Sequence, residues 1–548
     1  MNEPDWVKER QRQSHVDVLI IDGYVDEPSL LGVPPYISPQ PRMLVGVCVE
    51  LGLSWEYITI DEYRKFGLPL GDIVITYGGV TVPGTYLSGT PINKEEAEKI
   101  AEEPGETFLG GPLARYEIVE GYDHYSLKDL SAYFFESLYG NEVDRWTNLE
   151  EREDWLRLGA KIVERHPLFP DPLIVEISAY RGCPRYFTGG CSFCSEPDYG
   201  EPEFREQRDI IQEIKILYEL GVRNFRIGGQ SCIISYKGKG IGKAEVPKPS
   251  PKEVKKLFRG INNECPQIKV LHVDNANPAI ISNHQEESRQ ILETLVRFTT
   301  PGNVIAFGME SADKRVIEEN NLNATPEDVK KAVKITNEVG RERGRNGMPN
   351  LLPGINFLAG LKGEREKTYD MNYEFLKNLK EEGFWLRRIN IRQAMSRTGE
   401  FEVVNKRKYK LFKEMVRENI DQPILKDMLP VGSILKDVYM EKREGERTFG
   451  RQIGTYPLLV GIKYPLELGE FYNIIITDHG YRSVTGIHRP FYIDKASYRD
   501  LKAVPGIGKK RAAKIFRDRP KNKKELYELI EDEKGVKDIL KYVSFKYE

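Results

Sequence analysis

The chain has 548 residues, too many for a single hydrophobic core, so three or four domains are expected. Hydrophobic residues at 40% and charged residues at 30% are ordinary for a soluble globular protein, and no apolar run approaches the roughly eighteen residues that cross a bilayer. A net charge of −3 excludes a polycation, so any nucleic-acid partner must be met by a local basic surface. The first segment, MNEPDWVKERQRQSHVDVLIIDGY, lacks the apolar core of a signal peptide, and a cytoplasmic location without a membrane partner is expected.

In chain order, VDVLIIDGY (16–24) predicts a buried strand running into a glycine loop. The helix PRMLVGVCVELG and the strands WEYITI, DIVITYGG and FLGG follow, the last entering a Gly-Gly-Pro turn. This alternation predicts a doubly wound parallel domain over 1–125. Residues 126–170 read as a helical connector. From 171 to 430 strands and helices alternate again: PLIVEISAY, EFREQRDIIQEIKILYELG, VRNFRIGGQ, SPKEVKKLFRGINNE, IKVLHVDNANP, SRQILETLVRFTTPG, NVIAFGMES, the capped helix from TPEDVKK, and GINFLAGL. The period suits a full or partial (β/α) barrel, and equally an open doubly wound sheet. Residues 431–490 carry short glycine-broken strands, as in a small antiparallel barrel, and 498–548 form a lysine-rich helical tail. The expected class is therefore α/β.

The six cysteines are Cys48, Cys183, Cys191, Cys194, Cys232 and Cys265. Three of them fall within RGCPRYFTGGCSFCSEP, directly after the strand LIVEISAY, which suits metal ligation better than a disulfide framework. Three thiolates on a [4Fe–4S] cluster leave one iron open, and an open iron can chelate the amino and carboxylate groups of S-adenosylmethionine. Gly189 and Gly190 would let the backbone pack close, and Phe193 would screen one side. A structural zinc site and a set of buried cysteines are the alternatives, although Cys232 and Cys265 do not form the second pair that zinc usually recruits.

The segment resembles the radical S-adenosylmethionine superfamily, whose usual motif is Cys-x3-Cys-x-aromatic-Cys. Cys191-Ser192-Phe193-Cys194 keeps the final spacing, while seven residues separate the first two cysteines instead of three. The resemblance covers about 171–395 and implies a [4Fe–4S] cluster on Cys183, Cys191 and Cys194, S-adenosylmethionine, and an external electron donor. Gly228-Gly229-Gln230 stands where the family places Gly-Gly-Glu, whose backbone receives the methionine amino group. AFGMES, with Gly308, Glu310 and Ser311, resembles the strand near the ribose. FLAGLKGEREKT resembles a Gly-Leu-Pro-Gly-Glu-Thr turn, with Lys362 in place of proline. Asp274 and Asn275 are ribose or substrate contacts, or helix caps, and each glycine pair could be an ordinary βα turn. The N-terminal domain resembles the cobalamin-binding type but lacks its Asp-x-His-x-x-Gly motif, so cobalamin is not expected.

Residues 431–487 resemble a TRAM domain. Arg443, Arg447, Arg451 and Arg482 alternate with Tyr456, His479 and Tyr481, which would suit RNA backbone contact and base stacking or simply a solvated surface. LKAVPGIGKKRAAKIF resembles a helix-hairpin-helix motif, with Gly506 and Gly508 freeing N–H groups for a phosphate and Lys509, Lys510 and Arg511 adding charge. Between 502 and 524 stand ten lysines and arginines against the single acid Asp518. The layout is similar to that of the tRNA methylthiotransferases, except that residues 1–150 hold only Cys48 where those carry three further cysteines. The expected function is radical modification of RNA, most simply tRNA. The alternatives are a protein or small-molecule substrate, or a non-enzymatic nucleic-acid-binding iron–sulfur protein.

Overall fold

The computed structural model describes residues 15–27, 30–79, 89–394 and 401–546. The chain divides into two compact units. One comprises Met1–Phe298 with Asn320–Asn323 and Ala394–Phe401, and the other Thr299–Glu319, Ala324–Gln393 and Glu402–Glu548.

The first unit begins with a sheet of β1 (Val16–Gly23), β2 (Trp55–Thr59), β3 (Gly71–Gly78), β4 (Glu106–Gly110) and β5 (His124–Tyr125). All pairs are parallel and the order is β2-β1-β3-β4-β5. Val18 to Ile21 are fully buried, as expected of a strand covered on both faces, and the strand order reverses at β1. The expected helix runs over Pro39–Glu50, with prolines in its first turn where no intrahelical N–H is needed. It packs against the helix Leu149–Leu158 at Gly46, where a Cβ would fall 2.2 Å from the Trp155 carbonyl oxygen.

A second parallel sheet holds β6 (Ile174–Ile177), β7 (Asn224–Ile227) and β8 (Val270–Val273) in the order β8-β7-β6. The two-residue strand Tyr36–Ile37 adds to the free edge of β6, so the N-terminal segment completes this sheet, a pairing too short to leave a sequence pattern. The helices Gln207–Glu219 and Pro251–Glu264 bury Ile210, Ile214 and Leu217, and Val254, Leu257, Phe258 and Ile261, at helical spacing.

In the second unit β9 (Asn303–Glu310), β10 (Leu351–Ala359) and β11 (Ile389–Gln393) form a parallel three-stranded sheet. The sheets β6–β8 and β9–β11 are hydrogen-bonded separately, one in each unit. Thr325 and Asp328 form the expected capping box of the helix Pro326–Gly340. Further on, β12 (Ile434–Glu444), β13 (Arg447–Gln452), β14 (Leu459–Ile462), β15 (Phe471–His479) and β16 (Ser483–Arg489) close a barrel in the order β12-β13-β14-β16-β15. One pair corrects the antiparallel expectation: β14 runs parallel to β16, because β15 returns to β12 before the chain reaches β16. The tail consists of helices Tyr498–Leu501, Lys509–Asp518, Lys523–Ile530 and Glu533–Ile539 around Leu501, Ile507, Ala512, Ile515, Leu526, Val536 and Ile539. Among the described residues no helix is long and apolar enough to cross a membrane.

Candidate cofactor site

The cysteine loop leaves the sheet at the end of β6. Cys183, Cys191 and Cys194 are half-buried and not joined in disulfides. Two consecutive left-handed glycines, Gly189 (φ 79°) and Gly190 (φ 63°), reverse the chain between the first and second cysteine, a conformation other residues resist. A Cβ on Gly190 would also meet Pro197 at 2.5 Å. The four extra residues relative to the usual spacing lie in this reversal.

Arg185 organises the loop. It is almost fully buried, its N–H points at the Cys183 sulfur (3.4 Å), and Nη1 points at the Cys191 sulfur (3.5 Å). Nε pairs with Glu245 (2.6 Å), and Nη2 donates to the carbonyl of Asn321 (2.9 Å). Asn321 in turn donates to the carbonyls of Gly190 (2.7 Å) and Thr188 (3.1 Å), while Asn320 receives the Ser192 hydroxyl (2.7 Å) and N–H (3.1 Å). Burial pushes the Cys183 thiol up to about 12, with the Cys191 sulfur and Glu196 adding to the rise, and it pushes Cys194 up as well. A bound cation such as a cluster iron would favour their thiolate form. The donor set fits a [4Fe–4S] cluster with an open iron. Each thiolate of such a cluster sits on a different iron, so the sulfurs stand further apart than the ligands of one ion. Among the described residues no group of three His, Cys, Asp or Glu is gathered as the ligands of one metal ion would be. Cys48 and Cys232 are buried, as is Cys265, which caps a helix end; Cys232 receives the Asn277 N–H at 3.2 Å.

Gly228, Gly229 and Gln230 follow β7. Both glycine N–H groups donate to Ile177, at 3.0 and 3.3 Å, which ties the turn to the end of β6. Gln230 is fully buried: Nε2 donates to Ile227 (2.8 Å) and to the Asp274 carbonyl (3.1 Å), and Oε1 accepts from Ala179 (3.4 Å). Its amide therefore staples the ends of three strands. Gly228 is small for a specific reason: a Cβ there would lie 2.1 Å from Arg226 Nη1. Arg226 is buried beneath the turn between Glu176 and Asp274, the latter at 2.7 Å. Burial pushes Glu176 up to about 7 even with Arg226 beside it. Asp274 thus closes a buried ion pair and is not a helix cap. Asn275, in the left-handed region at φ 62°, donates Nδ2 to the carbonyls of Gly228 (3.3 Å) and Gln230 (3.1 Å), so its side chain braces the turn.

In the second unit β9 ends at Glu310, a half-buried residue with φ 61°. Burial alone pushes its carboxyl up to about 8. A strained, poorly solvated carboxyl without a compensating cation is a recognised mark of a ligand site. Ser311 is different: it is buried, and its hydroxyl accepts the Asp313 N–H (3.1 Å) at the entry to the next helix. Asp313 is held by Arg365 (2.7 Å) and Thr368 (2.7 Å). In the turn after β10, Gly360 (φ 89°) donates to Glu364 at 2.7 Å, so that acid is also internal.

The basic groups of the C-terminal region sort in the same way. Arg451 pairs with Glu441 (2.9 Å), Arg482 with Asp421 (2.5 Å), and Arg443 with the Leu466 carbonyl. His479 meets the Leu429 carbonyl (2.6 Å) and Tyr481 meets Glu418 (3.1 Å). These groups tie the barrel together or fasten it to the helical segment before it. In the tail, Gly506 has φ 82° and Gly508 is the N-cap of the helix Lys509–Asp518. Gly508, Lys509 and Lys510 are exposed, but Arg511 is engaged by the Gly506 carbonyl (2.8 Å) and Asp532.

Arg185, Asn320 and Asn321 were not anticipated. Only Arg185 left a trace, standing two residues after the first cysteine in RGCPR. A loop with three cysteines at the carboxyl end of a parallel sheet marks a candidate cluster site in a protein of the α/β class.

The chain carries a radical SAM domain: the model of the radical SAM superfamily matches residues 177–359, from the end of β6 through β10. The family's cofactors, a [4Fe–4S] cluster and S-adenosylmethionine, are this chain's cofactors. The chain is 46% identical over 503 residues to an uncharacterized protein of Methanocaldococcus jannaschii, covering 85% of this chain and 92% of that one. It is 26% identical over 223 residues to the tRNA-2-methylthio-N(6)-dimethylallyladenosine synthase of Acinetobacter baylyi, covering 40% of this chain and 41% of the relative. Among solved structures, the radical S-adenosylmethionine methyltransferase TsrM of Kitasatospora setae aligns over 68% of this chain and 72% of that one, with 13% identity and a TM-score of 0.46.

Proposed function

We propose that this radical SAM enzyme modifies RNA, with tRNA as the simplest candidate, and that Cys183, Cys191 and Cys194 hold the cluster. When bound, the cluster supplies the electron that cleaves S-adenosylmethionine to a 5′-deoxyadenosyl radical. Arg185 directs two N–H groups at the Cys183 and Cys191 sulfurs, which favours their thiolate form and would favour a reduced cluster. The turn Gly228–Gln230 offers backbone to the methionine end, braced from below by Arg226 and from the side by Asn275. Glu310 of the second unit, whose carboxyl is raised by burial alone, is a further candidate ligand contact.

The observation that carries the RNA part is the N-terminus of the helix Lys509–Asp518. A side-chain-free cap, Gly508, stands beside two exposed lysines, so a phosphate would meet unpaired N–H groups and positive charge together. The relationship to a tRNA-modifying synthase supports the same reading. Sulfur insertion by the route of the methylthiotransferases is not part of the proposal, because Cys48 is buried within a helix and no other cysteine precedes Cys183.

Mass spectrometry of nucleosides from cells with and without the gene tests the RNA reading, and identical profiles would sink it. Anaerobically reconstituted protein should hold about four irons. Cys191→Ala should lose both the iron and 5′-deoxyadenosine formation, and zinc in place of iron would overturn the cluster assignment.

A further inference from the structure

A cavity opens within the first unit at the carboxyl ends of β3 and β4, reaching from Tyr77 and Gly111 to Ser195 and Glu196 of the cysteine loop and Gly229 of the cofactor turn. The carboxyl edge of a parallel sheet is where ligands of doubly wound folds sit, because loops diverge there and leave a crevice. This one is lined by four cations, Arg115, Lys128, Arg152 and Arg181, against two acids, Asp129 and Glu196. Asp129 already caps a helix and receives the Thr147 hydroxyl, and Glu196 receives the Gly182 N–H (3.2 Å). The acids are therefore turned toward the protein framework.

Arg152 is the group that the fold leaves incomplete. It is 9% exposed, Nη2 binds the Ser178 hydroxyl, and Nη1 has no hydrogen-bond partner. A buried guanidinium with an unmet donor is costly unless an anion completes it. Burial, then Arg181 and Arg205, outweigh the acids Glu153 and Asp129 and pull Arg152 down to about 10. Arg181 lies over the rings of Trp146 (6.0 Å) and Tyr199 (5.4 Å) and Arg115 over Trp146 (5.3 Å), which holds both guanidinium groups at the wall. The cavity volume is about 80 Å3, several times what one water needs and suited to a phosphate or carboxylate group.

We propose that this cavity is an oxyanion-binding site, completed by Arg152 and Lys128, that takes the phosphate or carboxylate of the molecule on which the radical acts. The assignment to the substrate rests on the radical reading above, but anion binding itself does not. Arginine suits this task because its planar fork pairs with two oxygens at once.

Calorimetry on the iron-loaded full-length protein tests it, with inorganic phosphate, 5′-AMP and benzoate as separate probes. At least one should bind at a single site, and Arg152→Gln should weaken it about tenfold while iron content is unchanged. Preference for 5′-AMP over benzoate assigns a nucleotide phosphate, and the reverse assigns a carboxylic acid. Should Arg152→Gln lose iron, Lys128→Ala at the exposed rim decides: about threefold weaker binding supports the site, and equal binding overturns it. Binding of none of the probes, or equal binding by the wild type and an iron-loaded Arg152→Gln, also overturns it. Anion binding without any RNA modification would leave the cavity standing and remove only the RNA reading.

Discussion

The turn Gly228–Gln230 after β7 and the strand end Gly308–Ser311 of β9 look alike in sequence, since each joins glycine to a polar residue of a cofactor motif. In the folded chain they differ in what their polar side chains are bound to. Gln230 has both N–H groups and its oxygen occupied by Ile227, Asp274 and Ala179, and Asn275 braces the same turn. Glu310 stands in a left-handed backbone conformation, and burial alone raises its carboxyl to about 8. Glutamine in place of the family's glutamate is thus a structural choice, since a carboxylate could not donate to two carbonyls. The first turn presents backbone to a ligand, and the second presents a side chain.

The largest effect expected from this contrast is on stability at Gln230. Gln230→Glu keeps an acceptor but removes the donors to Ile227 and Asp274, and should cost about 2–4 kcal/mol. Gln230→Ala should cost a similar amount by stranding the same carbonyls. Denaturant unfolding of the iron-loaded protein reads both. A Glu variant with unchanged stability and tighter S-adenosylmethionine binding would break the comparison, because it would place position 230 against the ligand.

Glu310→Gln should do the opposite. Iron content and unfolding midpoint should hold or rise, since a poorly solvated carboxyl is removed. Affinity for S-adenosylmethionine should fall about tenfold, or about 1.4 kcal/mol. Equilibrium dialysis with the labelled cofactor measures it, and unchanged affinity would mean that the strained conformation serves the fold alone.

The same carboxyl gives a pH signature. Its folded pKa is raised from 4.5 to about 8, so the folded state holds a proton that the unfolded state has released. Its contribution to stability is complete below about 4.5 and is lost as the pH rises toward 8. Between those values the unfolding free energy of the cofactor-free wild type should fall relative to that of Glu310→Gln. Parallel profiles would show that Glu310 is solvated.

The alternation of strand and helix was legible because periodicity is a local property, and so were the three cysteines, whose spacing is local too. The pairing of Tyr36–Ile37 with β6 and the parallel contact of β14 with β16 were not, since each depends on partners far away in sequence. The site divides along the same line. Gly228 looked like a ligand-facing glycine, yet the reason for it is Arg226, buried between Glu176 and Asp274, and a residue's buried partner cannot be read from its neighbours. Arg451 and Arg482 suited either RNA contact or a solvated surface, and their pairing with Glu441 and Asp421 left no local pattern.

The smallest expected effect applies this distinction between engaged and free side chains to the tail. Lys509 and Lys510 are exposed beside Gly508, while Arg511 is engaged by Gly506 and Asp532. Each lysine that meets a phosphate releases about one counterion, so neutralising both should lower the slope of log affinity against log salt by about two. Arg511→Gln should leave the slope nearly unchanged and instead loosen the tail, since it frees the loop carbonyl and the Asp532 carboxylate. Deleting 498–548 should remove the whole contribution while leaving iron binding intact, because the three cysteines lie in the other unit. The measurement is a salt titration of tRNA binding for the four proteins. A slope that responds to Arg511 as strongly as to the lysines would show that its internal bonds yield to phosphate, and that bonds within the tail do not decide which cations reach RNA.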